Sequence, residues 1–150
     1  MSTEKTILIT GSNSGFGRLT AETLARQGHN VYASMRESAG KNATAAAELK
    51  ELAAASNLNL TVVDLDITDD GSVEQAVNDI LDISGFIDVV INNAGILSQG
   101  PLEGYTADQV YRQFDANVFS VLRVNRAVLP SMRERRSGLA AGAGRSRFGL

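Results

Sequence analysis

Three stretches and one isolated side chain in this sequence have the residue types and spacing to do chemistry. The first stretch is Thr10-Gly11-Ser12-Asn13-Ser14-Gly15-Phe16-Gly17, a glycine-rich turn between an apolar run and a helical pattern. Backbone N–H groups exposed where a helix starts carry partial positive charge, so a turn of little bulk there lets a pyrophosphate approach them closely. The glycines serve different ends. Gly11 makes the sharp exit from the strand, Gly15 brings backbone close to phosphate, and Gly17 packs helix on sheet. The isolated side chain is Arg36. About 20 residues beyond such a loop an acid would hold the two ribose hydroxyls of a dinucleotide, whereas a basic residue can accept a 2′-phosphate. The run Val31 to Arg36 contains no acid, so Arg36 favours NADP(H) over NAD(H). In the second stretch, Asp64 to Asp69, clustered acids follow a strand pattern; Asp66 suits an adenine amino group, Asp69, Asp70 and Ser72 suit a helix start, and no metal is expected. The third is Asn92-Asn93-Ala94-Gly95, whose two amides can tie neighbouring strand ends while Ala94 and Gly95 leave room for a ribose.

The elements that must position these residues alternate. Ile7-Leu8-Ile9 reads as a buried strand, and the helix after the glycine turn, with Leu19, Leu24 and Ala25 at helical spacing, stops near Gly28. Val31 to Met35 is a second strand, Lys41 to Ser56 a helix, Leu58 to Val63 a third strand, Ser72 to Ile83 a helix, and Ile87 to Ile91 a fourth strand. After the loop at Gly100-Pro101-Leu102 a long helix is expected from Thr106 or Ala107 to about Arg135. Strands and helices in this order imply an α/β fold with a doubly wound, Rossmann-like parallel sheet, in which ligands bind beyond the carboxyl ends of the strands. All the chemistry-bearing stretches lie at such ends.

Composition bounds the alternatives. With 150 residues, 43% of them hydrophobic, the chain fits one domain with its own core. The absence of Cys excludes disulfides and thiolate metal sites, and the single histidine, His29, sits in a polar break where a solvated side chain is expected. No apolar run is long enough to span a bilayer and the first residues do not read as a signal peptide, so a cytoplasmic protein is expected. The net charge of −3 hides an asymmetry: residues 116–150 carry seven arginines and one acid, Glu134.

The three motifs T-G-x-x-x-G-x-G from Thr10, D-I-T-D from Asp66 and N-N-A-G from Asn92, in this order, resemble the short-chain dehydrogenase/reductase family over residues 5 to about 138. The resemblance implies that Gly11, Gly15, Gly17, Arg36, Asp66, Ile67, Asn93 and Gly95, with Ser12, Asn13, Ser14, Phe16 and Ala94 between them, surround a nicotinamide dinucleotide that exchanges hydride with a small alcohol or carbonyl. It implies for Asn117, a poor residue for a helix interior, the holding of a water in a catalytic proton relay. Asn125 is expected to be solvated.

The same resemblance calls for a tyrosine followed four residues later by a lysine, and that pair is absent. Tyr32, Tyr105 and Tyr111 are followed at that spacing by Arg36, Gln109 and Asp115. Ser146 stands near the place of the family's serine. Residues 139–150 contain no β-branched side chain, so a disordered Gly/Ala/Arg tail is expected, and a sheet truncated after about four strands, as in a shortened or frameshifted family member. That would leave Val89-Val90-Ile91 as a sheet edge and the long helix with unpartnered Val118, Val121, Leu122 and Leu129, favouring self-association. The competing reading is a non-catalytic module that binds NADP(H), or a partner through Arg133, Arg135, Arg136, Arg145 and Arg147; nucleic acid is not expected, for want of interleaved aromatics.

Overall fold

The computed structural model describes residues 3–142 and 147–148. Five parallel strands form the sheet, in the order β3-β2-β1-β4-β5, with a short antiparallel strand β6 beside β5. They are β1 (Thr6–Ile9), β2 (Asn30–Met35), β3 (Leu60–Asp64), β4 (Val89–Asn92), β5 (Leu139–Gly142) and β6 (Arg147–Phe148). The crossovers run through α1 (Gly15–Arg26), α2 (Ala43–Ser56), α3 (Asp70–Ser84), and a long helical stretch made of α4 (Ala107–Phe114) and α5 (Ser120–Glu134). The order reverses between β1 and β4, which places the switch point beside the glycine turn.

Each face of the sheet carries its own core, as expected of parallel strands buried on both sides. Ile7, Ile9, Val31 and Ala33 pack with Ala21, Ala25 and Leu49 of α1 and α2. On the other face Leu8, Tyr32 and Val90 pack with Val73, Val77 and Ile80 of α3 and Val124, Val128 and Met132 of α5. The buried stripe of α1 is Gly17, Ala21 and Ala25 rather than Leu19, which is exposed. Small residues there let the helix lie close to β1.

The expected end of the sheet after the fourth strand is corrected at residues 139–142. Leu139, Ala140, Ala141 and Gly142 pair in parallel register with Val89, Val90, Ile91 and Asn92, so β4 is central and not an edge. Low intrinsic propensity is overridden here by the open ladder of β4 and by burial: Ala140 joins the core with Val124, Val128 and Met132. The approach from α5 demands small residues, since a side chain at Gly138 would meet Met132 Cγ at 2.5 Å. Residues 143–146, including Ser146 and Arg145, and residues 149–150 lie outside the described residues.

The long helix is interrupted at the position where the sequence carries its unfavourable asparagine. Between α4 and α5, Asp115–Phe119 winds as a π-turn, with Asn117 at its centre. Two polar residues expected to be merely solvated have partners within the fold. His29 is buried and its Nδ1 accepts the Lys5 N–H at 3.3 Å. Asn125 accepts a hydrogen bond from Asn92 Nδ2 at 3.0 Å, joining α5 to the end of β4. Among the described residues, no helix is long and apolar enough to cross a membrane.

Candidate functional site

A cleft of about 360 Å³ opens beyond the carboxyl ends of the strands, walled by the turns that leave β1, β2, β3 and β4. Of the residues singled out from sequence, it brings together Gly11, Asn13, Ser14, Arg36, Asp66, Ile67, Asn93, Ala94 and Gly95. Met35, Lys41, Asn42, Leu65, Thr68, Ile96 and Ala116 complete the wall.

The glycine turn is held from beneath by polar groups that close on one another. Thr10 Oγ1, fully buried, accepts the N–H groups of Asn93 and Ala94 at 3.1 and 3.0 Å. Asn93 Nδ2 returns two bonds, to the carbonyls of Thr10 and Gly11 at 3.1 and 3.0 Å. The ends of β1 and β4 are thereby locked as one unit, as expected of the paired asparagines. Packing leaves no space for larger residues: a Cβ at Gly11, where φ is +72°, would meet Ala94 Cα at 2.7 Å, and one at Gly17 would meet the Gly11 carbonyl oxygen at 2.1 Å.

At the start of α1 the situation is reversed. Gly15 has φ +58° and nothing within 4 Å of where a side chain would stand. Ser14 makes no side-chain cap, so the cap that usually satisfies a first-turn N–H is missing from this 12-residue helix. An open, uncapped helix start behind a glycine is a fit for an anionic phosphate. Two members of the expected contact set face elsewhere. Ser12 is buried, its N–H given to the Ser34 carbonyl at 2.8 Å and its hydroxyl to Ile9 at 3.1 Å. Phe16 is 83% exposed and does not line the cleft. Gly17 acts by packing beneath the turn.

Asp66 lies in the wall beyond β3. Its Oδ1 accepts both the N–H and the hydroxyl of Thr68, at 2.9 and 2.7 Å. Burial acts to raise the carboxyl's pKa, but those two bonds and the charges of Arg36 and Arg123 outweigh it, and the group is held below its ordinary value. It is therefore an ionised acceptor at neutral pH. Asp69 caps α3 as expected, accepting the Ser72 N–H at 2.6 Å.

Asn117 reaches the cleft rim through the chain and not directly. Its Oδ1 accepts the Ile96 N–H and its Nδ2 donates to the Ile96 carbonyl, both at 2.8 Å, and a side chain at Gly95 would strike that amide at 2.7 Å. The π-turn puts the amide on the loop beyond β4. None of the three tyrosines lines the cleft: Tyr32 bonds Ser84 and Tyr105 donates to the Ser98 carbonyl. Sequence reasoning missed Lys41 and Asn42; a polar pair just before a helix carries no signal until the fold brings it to the cleft. Arg135, in the basic end of α5, is paired with Asp88 at 3.1 Å and stacked over Phe86.

The profile of the short chain dehydrogenase family matches residues 5–141. The chain is 42% identical over 135 residues to a 3-ketodihydrosphingosine reductase of Bacteroides thetaiotaomicron, covering 88% of this chain and 44% of that protein. It is 42% identical over 137 residues to retinol dehydrogenase 8 of Bos taurus, covering 89% and 42%. A short-chain dehydrogenase from Streptomyces avermitilis superimposes with a TM-score of 0.82 at 35% identity, covering 93% of this chain and 49% of that one. A gluconate 5-dehydrogenase from Burkholderia cenocepacia, solved with NADP and tartrate, does so with a TM-score of 0.81 at 25% identity, covering 95% and 53%. The chain spans less than half the length of the curated relatives it matches.

Proposed function

This chain belongs to the short-chain dehydrogenase family, and from that premise we propose that its cleft binds a nicotinamide dinucleotide, NADP(H) in preference to NAD(H). The observation that carries the reading is the uncapped start of α1, whose N-cap position Ser14 lines the same cleft as Arg36. The glycine turn would hold the pyrophosphate, Asp66 the adenine amino group, and Ala94 and Gly95 the ribose next to the nicotinamide. Arg36 follows β2 directly, where a 2′-phosphate would lie.

Bound there, a nicotinamide supplies a donor or acceptor of hydride for an alcohol or carbonyl. The protein's own share of that reaction is divided. Thr10, Asn93 and Gly17 fix the floor of the site, and Asn117, through Ile96, fixes its far rim. The Asn117 amide is exposed and keeps one N–H and one lone pair beyond its two bonds, enough to hold a water in a proton relay. The general acid is another matter: no tyrosine among the 150 residues is followed by a lysine four positions on. Loss of such a group costs roughly 10²–10⁴-fold in rate. These residues alone therefore bind cofactor with little turnover, a reading that also accommodates a non-catalytic NADP(H)-binding module. Exposed Val118 and Leu122 on the long helix give the chain a surface for self-association, which sedimentation at several concentrations would reveal.

Titration with NADPH followed by a carbonyl-reduction assay tests this directly. Saturable binding without turnover is expected; no binding would remove the cofactor reading, and brisk turnover would remove the claim of a missing acid. Arg36→Asp is expected to weaken NADPH by about tenfold or more and to leave NADH within about twofold.

A further inference from the structure

Arg123, on α5, does not line the cleft, yet it is bonded to both of the cleft's ends. Its planar guanidinium donates in three directions: Nη1 to the Ile67 carbonyl at 2.7 Å, Nη2 to Asp115 Oδ1 at 2.9 Å, and Nε to Asp70 Oδ1 at the start of α3. Among the described residues no other side chain hydrogen-bonds the turn after β3 to the long helix. The Arg123 side chain is 19% exposed, so solvent screens these bonds only in part.

Each partner bears on a different half of the site. Ile67 lines the cleft next to Asp66, in the wall assigned to adenine. The residues around it are already held, because Asp66 Oδ1 accepts from Thr68 and the Asp66 N–H donates to the Ser72 hydroxyl at 2.9 Å. Asp115 is the first residue of the π-turn. Within that turn Ala116 lines the cleft, and Asn117 holds both backbone groups of Ile96, which lines it too. Arg123 and Asp115 are eight residues apart, a rise of about 12 Å on a regular helix. Side chains lean toward a helix's N-terminus, so Arg123 lies lengthwise across the π-turn and straps it where the regular ladder is interrupted. The path from Ile67 through Arg123 and Asp115 to Asn117 and Ile96 is continuous and bypasses Thr10.

We propose that Arg123 is a positioning residue that couples the two halves of the cleft: an adenine nucleotide seated against Ile67 orders, through Arg123 and Asp115, the π-turn and the loop at Ile96. The proposal rests on the cleft being a dinucleotide site and goes beyond it, since filling one half then favours assembly of the other. A second ligand meets a loop that is already ordered, which is positive cooperativity without a large change of shape.

The test is hydrogen exchange at the Ile96 N–H of the full chain, with and without adenosine 5′-monophosphate (AMP), a probe that carries no nicotinamide. Saturating AMP is expected to slow that exchange about fivefold. Arg123→Lys keeps a cation but cannot present a planar three-way fork. Asp115→Ala leaves Arg123 its bonds to Ile67 and Asp70 and cuts only the strap, with a good helix former in place, so its fold is expected to hold. In both variants saturating AMP should leave exchange at Ile96 unchanged, and because coupling is reciprocal the Kd for AMP should rise by about the same factor of five. A purely structural role would raise the basal exchange and keep the response to AMP. A response retained in either variant overturns the proposal, as does a parent chain that binds AMP with no change at Ile96. Failure of the parent chain to bind AMP refutes the dinucleotide reading itself, and the coupling with it.

Discussion

The two rims of the cleft are built on different terms. On the side of β1, β2 and β3, side chains fasten the turns: Thr10 holds Asn93 and Ala94 at the start of the β4 turn, Asn13 reaches Asn42, Ser38 bonds Asp64, and Thr68 closes the Asp66 turn on itself. Beyond β4 the loop from Gly95 to Tyr105 hangs on a few contacts to the long helix, chiefly Asn117 with Ile96 and Gln113 with Ser98. It exposes Leu97 and Leu102, and the helix behind it exposes Tyr111, Phe114 and Val118. A phosphate-binding rim must be rigid before its ligand arrives, because backbone N–H groups cannot be re-aimed cheaply. A rim that meets varied organic molecules gains from apolar surface and looser fastening. The first rim is fastened by side-chain hydrogen bonds; the second presents exposed apolar side chains.

Substitutions that press on this contrast should differ in size. Gly17→Ala should have the largest effect, since its methyl group overlaps the Gly11 carbonyl; we expect a loss of about 3 kcal/mol or more in denaturant unfolding, and NADPH binding to go with it. A near-normal midpoint would show that the first rim is not rigid. Thr10→Val keeps the shape but strands the N–H groups of Asn93 and Ala94, for an expected loss of about 2 kcal/mol. On the second rim, Asn117→Ala should cost only about 1 kcal/mol. Its clearer signature is faster hydrogen exchange at Ile96 with that of Thr10 unchanged; equal acceleration at both would mean the rims are not independent.

The smallest effect is one of pH. A carboxyl held below its ordinary value contributes stability that is present above that ordinary value, near 3.8, and is lost as pH falls through the folded-state pKa. Asp66→Asn should therefore lower the thermal midpoint slightly at pH 7, and the difference from the parent chain should shrink as pH falls below 3.8 and through the lowered folded-state pKa. A difference that persists undiminished in acid would assign the effect to the shape of the Thr68 turn and not to the charge.

Local patterns were enough for much of this molecule because they are enforced locally. The strand, glycine turn and helix at residues 6–26, the alternation that makes the sheet parallel, the cap at Asp69 and the clustering of Arg36, Asp66 and Asn93 at one sheet end all follow from short-range chemistry and the handedness of crossovers. Asn117 announced itself as a residue out of place in a helix, and the π-turn shows why it is tolerated. What only the tertiary structure decided are the outcomes set by partners distant in sequence. Leu139–Gly142 became a strand because β4 offered an open ladder, although its own residues have little tendency to extend. His29 and Asn125 were drawn inward by Lys5 and Asn92, and Asn42 left its helix for Arg36 and Asn13. A short polar side chain carries donors and acceptors but no address for them; which group it meets depends on how elements many residues apart come to lie side by side.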